Sequence, residues 1–413
     1  MIKINKMTIY PSNIRGKVNI SGSKNASLPI IAASLVNSEF SILKNVPNIK
    51  DIENLICILK KIGCDVVHKK DTVKIESVFS QCDLLFDEIK EFRASYYLMS
   101  VFLTKFNSVR IYHPGGCAIG NRPIDFHLEG FKLAGCHIFE ENDIVSIKVN
   151  KLKPFVYNMP KKSLGATVNL IILASKIDGL SIIKNASTEP EIDDLIAYIN
   201  KGKAKVFRRK SEIVIKGSSE MSKKIKHTVI PDRIECFTYM CIGTTSKKLR
   251  INNIDISHLK MPIFYLKNAG VNIKIKKNSL IILKSKMKNI LVNSGDYPSL
   301  STDQMPLLYP LFTRVEGESV FTEGVFENRF SVCEELRKTN ANIVTENNKV
   351  FIVGEKDLLK SEFYAKDLRC AASLLIECII SQGGVINNLN FLERGYCDVY
   401  KKLKKIGLCF KIE

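Results

Sequence analysis

Apolar positions along this chain switch between the period of a strand and that of a helix, and the switching recurs. A short β-rich run leads to an Asn- or Pro-marked turn. An amphipathic helical segment follows, then a Gly/Asn–Ala/Cys step into another strand. Six copies occupy 41–64, 109–136, 180–204, 249–270, 319–341 and 384–407. Their starts lie roughly 65 to 70 residues apart, longer than a solenoid repeat and long enough for a βαβαββ unit. The second copy departs from the rest. Where its siblings turn quickly into helix, it inserts His113-Pro-Gly-Gly-Cys-Ala-Ile-Gly-Asn-Arg122. In a repeated scaffold the one irregular loop is the expected place for chemistry.

Between the repeats run helical patterns that are apolar nearly all round: 24–36, 93–103, 165–175, 234–241, 303–312 and 367–376. A helix without a polar face is buried on every side, whereas the segments 51–61 and 397–406 carry one charged face and belong outside. Three buried helices per half, ringed by sheet, predict two similar α/β lobes. Their boundary falls near His227 to Pro231. Each buried helix opens on polar or charged residues: Lys24-Asn25, Arg93, Lys161-Lys162-Ser163, Asp232-Arg233, Asp303, and Asp367 with Arg369. Charge at the mouth of a buried helix requires solvent, a partner or a ligand. Capping and salt bridging are the favoured roles for Asp232 and Arg233. For the cationic set of the first lobe an anionic ligand is favoured, because exposed helix amides and lysines together make an anion site.

Composition narrows the class. At 413 residues with 45% hydrophobic and 25% charged residues, the chain suits a globular protein with two substantial cores. No apolar run approaches the roughly 20 residues of a membrane span, and the first residues lack the pattern of a signal peptide. The 12 cysteines include no CxxC and fall mostly inside helix or strand patterns, which points to a reducing, cytoplasmic compartment. The 6 histidines show no ligand spacing, so no metal is expected. The net charge of +20 is spread over every repeat, with Lys, Ile and Asn all heavily used and no nucleic-acid motif. A solvated basic surface is the favoured reading, a field for anionic small substrates the second.

Eight strings in register resemble the enolpyruvyl transferases over essentially the whole chain. Ser21-Gly-Ser-Lys-Asn-Ala-Ser-Leu-Pro29 resembles their opening motif. The segment 113–125 resembles the catalytic loop of the UDP-N-acetylglucosamine 1-carboxyvinyltransferase branch. So do Glu189-Pro-Glu191, Pro231-Asp-Arg-Ile-Glu235, Ser301-Thr-Asp303, Phe326-Glu-Asn-Arg-Phe330, Asp367-Leu-Arg369 and Arg394-Gly-Tyr396. The resemblance implies a two-lobed inside-out α/β barrel of six βαβαββ units, three per lobe, the lobes comprising 22–229 and 1–21 with 230–413, so that the N-terminal strand joins the second lobe, with the active site in the interlobe cleft. It implies transfer of the enolpyruvyl group of phosphoenolpyruvate to the 3′-hydroxyl of UDP-N-acetylglucosamine with release of phosphate, the first committed step of peptidoglycan synthesis.

By the same resemblance Cys117 is the proton donor and forms a covalent adduct, and Lys24, Arg122 and Arg394, with Asn25, hold phosphoenolpyruvate. Asp303 is the base; Lys24 and Arg394 join it and Cys117 as catalytic residues. Contacts to the sugar nucleotide fall on Asn25, Arg93, Arg122, Pro123, Ile124, Asp125, Phe126, Val325 and Arg329. Lys161, Lys162, Ser163, Leu164 and Gly165 cradle its diphosphate. Asp367 and Arg369 support the site through charge balance. No cofactor, nucleic-acid or membrane partner is implied, and the oligomeric state stays open. Three positions depart from the family pattern: Ser301 stands for an expected proline, and Asn121 and Lys162 are milder changes. They bear on affinity, not on reaction type. Two alternatives stand beside this reading. One is the shikimate-pathway enolpyruvyl transferase, against which Pro-Gly-Gly-Cys argues. The other is a basic binding protein that kept the fold and lost catalysis.

Overall fold

The computed structural model describes residues 5–80, 83–91, 93–113, 115, 123–326 and 329–413. They form two compact units, one within 22–230 and the other made of 5–21 with 231–413. Six sheets share one plan. In the third repeat, Val156–Asn158 runs parallel to the central strand Gly179–Lys184; Glu212–Gly217 pairs antiparallel on its other side, and Lys205–Arg209 closes the row. The first, fourth, fifth and sixth repeats follow the same order. In the second, three strands pair and a single bridge, Leu84 to Ile111, stands where the parallel edge strand would lie.

Two sheets borrow their missing strand from the start of the chain. Lys6–Tyr10 lies antiparallel between Gly384–Asn387 and Cys409–Ile412, with Thr8 opposite both Val385 and Lys411. Arg15–Asn19 runs parallel to Lys248–Asn252. The N-terminal strand therefore belongs with the second half of the sequence, as the resemblance implied. The first repeat is completed from the far end of its own unit, where Ser222–Thr228 runs parallel to Ser38–Lys44.

A side-chain latch explains the recurring asparagine. The residue after the central strand is Asn45, Asn185, Asn253 and Asn388 in the first, third, fourth and sixth repeats, and each has a left-handed backbone (φ 57°, 54°, 57° and 62°). Asn tolerates that conformation better than other residues with a Cβ. Each also donates its side-chain amide to the first carbonyl beyond the parallel edge strand: Val229, Met159, Ile20 and Ala365, at 2.8, 2.9, 2.7 and 3.0 Å. One residue thus makes the turn and pins the neighbouring strand. The second and fifth repeats put His113 and Glu323 at this place instead.

The buried helices of the 22–230 unit are Lys24–Asn37, Tyr97–Phe106 and Leu164–Ala174, which pack on one another. Their few polar groups are matched internally: Ser100 donates to Asn169 Oδ1 at 2.8 Å, and Asn37 to Ser175 Oγ at 3.3 Å. In the other unit Arg233–Gly243 and Leu368–Ile380 fill two of the corresponding places. The third departs from the sequence expectation. Instead of one helix over 303–312 there is a 3₁₀ turn, Met305–Leu307, and a single α turn, Tyr309–Phe312. Pro306 and Pro310 are responsible, since each lacks the N–H that an uninterrupted helix needs and crowds the preceding turn. The apolar pattern is still honoured: all of Met305 to Phe312 is buried.

The latch makes a graded prediction. Asn253→Ala removes a hydrogen bond worth about 1 kcal/mol and adds about 1 kcal/mol of left-handed strain, so urea unfolding should show a loss of about 2 kcal/mol. Asn253→Gly keeps the backbone relaxed and should lose about half as much. Equal losses in the two variants would rule out the conformational half of the argument.

Candidate active site

In the 22–230 unit the cations gather at helix starts that carry no acid. Ser23 Oγ accepts from Ala26 N at 3.3 Å and Ser163 Oγ from Ala166 N at 3.2 Å. Neutral caps leave the positive end of each helix dipole uncompensated. Lys24, the first residue of its helix, is largely buried and meets Asp51 at 3.1 Å. Asn25 beside it is half-buried. Exposed Lys161 and half-buried Lys162 precede Ser163 and Leu164. At Gly165 a methyl group would come within 2.6 Å of the Tyr96 hydroxyl, so only glycine allows this close packing.

Arg93 sits in this same region, its guanidinium 5.5 Å from the centre of the Tyr96 ring. The edge of that ring meets His127, which is buried and was not singled out in the sequence. Asn169 donates to the carbonyl of Tyr96 at 3.0 Å and lies 2.8 Å from His127 Nδ1. With the Asn169 amide as donor, Nδ1 accepts and the imidazole proton sits on Nε2. Burial, and then the nearby Arg93 charge, push the His127 pKa down to about 3. The group is therefore a neutral donor beside the start of the Leu164–Ala174 helix. Pro123 is exposed, Ile124 buried, and Asp125 and Phe126 open the helix Asp125–Leu133. Cys117 and Arg122, like Asn121, lie outside the described residues.

The other unit caps its helices with carboxylates. Asp232 accepts from the amides of Ile234 and Glu235 at 2.8 and 2.9 Å, and Asp367 from those of Arg369 and Cys370 at 2.7 and 3.0 Å. Capping thus accounts for Asp232 and is a large part of what Asp367 does. Asp303 is placed differently. One oxygen pairs with Arg329 and the other with Arg369 Nη2 at 3.0 Å; both arginines are nearly buried, whereas the Asp303 side chain stays 28% exposed. Arg369 also reaches the Tyr396 hydroxyl at 3.4 Å, and that hydroxyl is 2.7 Å from Thr238 Oγ1. Arg394 is half-buried at the end of the short helix Asn390–Glu393. Next to it, a methyl group on Gly395 would come within 2.5 Å of Leu368.

Glu323 is a second residue the sequence reading passed over. It stands where the latch asparagine would be, and it is buried. One carboxylate oxygen accepts from Val325 N at 2.9 Å and the other from the Thr302 hydroxyl at 3.0 Å. The carbonyl of Thr302 in turn accepts from Arg329 Nε at 3.2 Å. One carboxylate therefore joins the segment bearing Asp303 to the segment bearing Val325. The missing latch asparagine was the available signal. Ser301, the departure from the expected proline, directs its hydroxyl to Gln304 Oε1 at 3.1 Å and leaves this arrangement intact.

In one unit a carboxylate held between two guanidinium groups is suited to proton transfer; in the other, a lysine at a helix mouth and a neutral imidazole donor are suited to an anionic ligand. Residues 9–403 match the EPSP synthase (3-phosphoshikimate 1-carboxyvinyltransferase) family, and the chain belongs to it. Within it, the UDP-N-acetylglucosamine 1-carboxyvinyltransferase of Halothermothrix orenii is 36% identical over 95% of this chain and 96% of its own length. The protein of that name from Pelagibacter ubique is 36% identical over 97% of each. Among solved structures, the enolpyruvyl transferase NikO of Streptomyces tendae matches with a TM-score of 0.90 at 21% identity, covering 99% of both chains. EPSP synthase of Acinetobacter baumannii gives 0.79 at 17%, over 99% of this chain and 100% of that one. At those identities the structural likeness is one of fold.

The His127 environment predicts an acid-sensitive core. Its native pKa, about 3, lies below the unfolded value near 6.5, so its contribution is complete above pH 6.5 and is lost as pH falls. The loss should approach about 1.4 kcal/mol per pH unit, and His127→Gln should remove that part of the slope between pH 7 and 5 in urea unfolding. An unchanged slope in the variant would mean that His127 is charged in the native state.

Proposed function

We propose that this chain is a UDP-N-acetylglucosamine 1-carboxyvinyltransferase. It transfers the enolpyruvyl group of phosphoenolpyruvate to the 3′-hydroxyl of UDP-N-acetylglucosamine and releases phosphate, a reaction that opens peptidoglycan synthesis in the cytoplasm. The observation that carries the reading is the likeness, along nearly the whole chain, to relatives of that name. The Asp303 arrangement and the serine-capped cationic helix starts support it chemically. Shikimate 3-phosphate as acceptor is the other reading, favoured only by the description of the family as a whole.

The chemistry follows from the electronics of an enol phosphate, which accepts a nucleophile at C2 only as a proton arrives at C3. In this proposal the thiol of Cys117 supplies that proton, and an ordinary cysteine, with a pKa of about 8.5, keeps it at neutral pH. Attack by the thiolate sulfur at C2 accounts for the covalent adduct. On the main path the sugar 3′-hydroxyl adds to C2 while Asp303 accepts its proton, giving a tetrahedral phosphate-bearing intermediate. Loss of a C3 proton and departure of phosphate then regenerate the carbon–carbon double bond in the product. Lys24, Arg122 and Arg394 are assigned to the phosphate and carboxylate of phosphoenolpyruvate, whose charge calls for several cations. Asn25, Arg93, Pro123, Ile124, Asp125, Phe126 and Val325 are assigned to the nucleotide and sugar, and 161–165 to its diphosphate. Arg329 and Arg369 orient Asp303, Asp367 holds the helix that presents Arg369, and Glu323 positions both Asp303 and Val325.

Phosphate release with the two substrates, singly and together, tests the reaction. Release should require both and vanish in Cys117→Ala, and Asp303→Asn should lower kcat by about a hundredfold or more. Release with shikimate 3-phosphate instead would transfer the assignment to that acceptor. A folded sample silent with both would leave a binding protein. Glu323→Ala should lower kcat by about tenfold or more through misplacement of Asp303, while Glu323→Gln, which keeps an acceptor, should recover part of the loss. Wild-type kcat in Glu323→Ala would deny it any positioning role.

A further inference from the structure

Six sheets built on one plan allow a comparison of their solvent faces, and one of them is chemically unlike the rest. The fourth-repeat sheet consists of Arg15–Asn19, Lys248–Asn252, Ser279–Leu283 and Asn272–Lys276. Its inward residues, among them Val18, Leu249, Ile251, Leu280 and Ile282, are buried core. The opposite face is crossed by in-register rows. Lys17, Arg250, Ile281 and Lys274 form one row, and Arg15, Lys248, Leu283 and Asn272 the next. Lys276 stands in the row beyond. These six cations are all exposed.

No aspartate or glutamate occurs in the four strands. Every other sheet carries at least one acid in its strands: Asp65, Glu141, Glu212, Glu346 and Glu362 are examples, one from each. Nor does any acid stand between Asp255 and Asp296 in the sequence, a stretch that includes two of the strands. A compositional bias toward lysine acts on all six sheets alike and does not by itself empty one of them of acids. Like charges on neighbouring strands repel, so the arrangement is unfavourable unless something anionic lies against it.

We propose that this sheet face is a docking surface for an anionic lipid bilayer, held by electrostatics without insertion. Charge complementarity identifies the partner as an anion, and the shape of the face selects its kind. Cations on three of the four strands, both edge strands included, spread over a face about 15 Å across at strand spacings of about 4.8 Å. A broad two-dimensional array can meet many headgroups of a bilayer surface together. Nucleic acid is the poorer fit: the four strands carry no aromatic side chain on which a base could stack. A folded protein partner would need anchoring aromatics, which these rows lack. The face holds no large apolar wedge, and among the described residues no helix is long and apolar enough to cross a membrane. Contact therefore stays peripheral and salt-sensitive. The sequence reading named no membrane partner because it looked for apolar spans and a signal peptide, and a charged sheet face gives neither.

Sedimentation of the full chain with sucrose-loaded vesicles tests the proposal. It should bind mixed phosphatidylglycerol–phosphatidylcholine vesicles at low salt, release them at high salt, and ignore pure phosphatidylcholine. The combined variant Lys17→Glu, Arg250→Glu, Lys274→Glu should bind about a hundredfold more weakly, with its transfer activity intact. A second variant, Lys205→Glu, Arg209→Glu, Lys216→Glu on the third-repeat sheet, changes net charge equally and should bind like wild type. If the first variant fails to fold, glutamine at the same three positions should still weaken binding by about tenfold or more. Equal loss in both glutamate variants would reduce the effect to net charge and overturn the proposal. So would binding to neutral vesicles, no binding to anionic ones, or capture of an RNA oligonucleotide with vesicles ignored.

Discussion

A helix that is apolar on all sides has to be covered on all sides, and most of this molecule follows from meeting that requirement. The helix Lys24–Asn37 has its last twelve residues buried, and Leu164–Ala174 has its last nine. Sheets supply much of the cover, with their inner faces apolar and their outer faces wet. What remains uncovered is the end of each helix. Chemistry that needs both solvent access and a rigid frame is confined to those ends and to the loops leaving the central strands. The catalytic candidates lie there: Lys24 and 161–165 at helix starts, Asp303 before a broken helix, and Glu323 just after a central strand.

The two units treat these ends with opposite electrostatics. Serine caps at Ser23 and Ser163 satisfy an amide without adding charge, so the helix dipole and nearby lysines act together on whatever lies in front of them. Aspartate caps at Asp232 and Asp367 satisfy two amides each and cancel the dipole. That cancellation leaves Arg369 to face Asp303. The outcome is an anion-attracting set in one unit and a positioned carboxylate in the other. In the proposed reaction the first suits an anionic donor, and the second a hydroxyl that must lose a proton.

The repeats, the buried helices and the polar residues at their mouths were legible in the sequence because each is a local signal of period or punctuation. The 303–312 segment was half legible. Its apolar pattern correctly marked burial, but Pro306 and Pro310 decided the backbone, and hydropathy does not register a missing N–H. His127 and Glu323 were not legible for another reason. Their roles depend on partners far along the chain, Asn169 and Thr302, and a single histidine or glutamate in isolation resembles any surface residue. The residue roles assigned by resemblance rest on motif register, and those on Cys117 and Arg122 concern positions outside the described residues.

The placement of Lys6–Tyr10 between strands that end at Asn387 and Ile412 has a consequence for how the protein is made. A ribosome releases that strand long before either of its neighbours. The 22–230 unit is contiguous and completes its own sheets, so it can be whole while synthesis continues. The other unit has to hold this inner strand unpaired until both neighbours are made, a period of tens of seconds at roughly 5–20 residues per second. An exposed strand edge invites pairing with another chain over that interval. Its outward positions are Lys6, Thr8 and the exposed Tyr10, so only the two inward residues, Met7 and Ile9, are aliphatic surface awaiting cover.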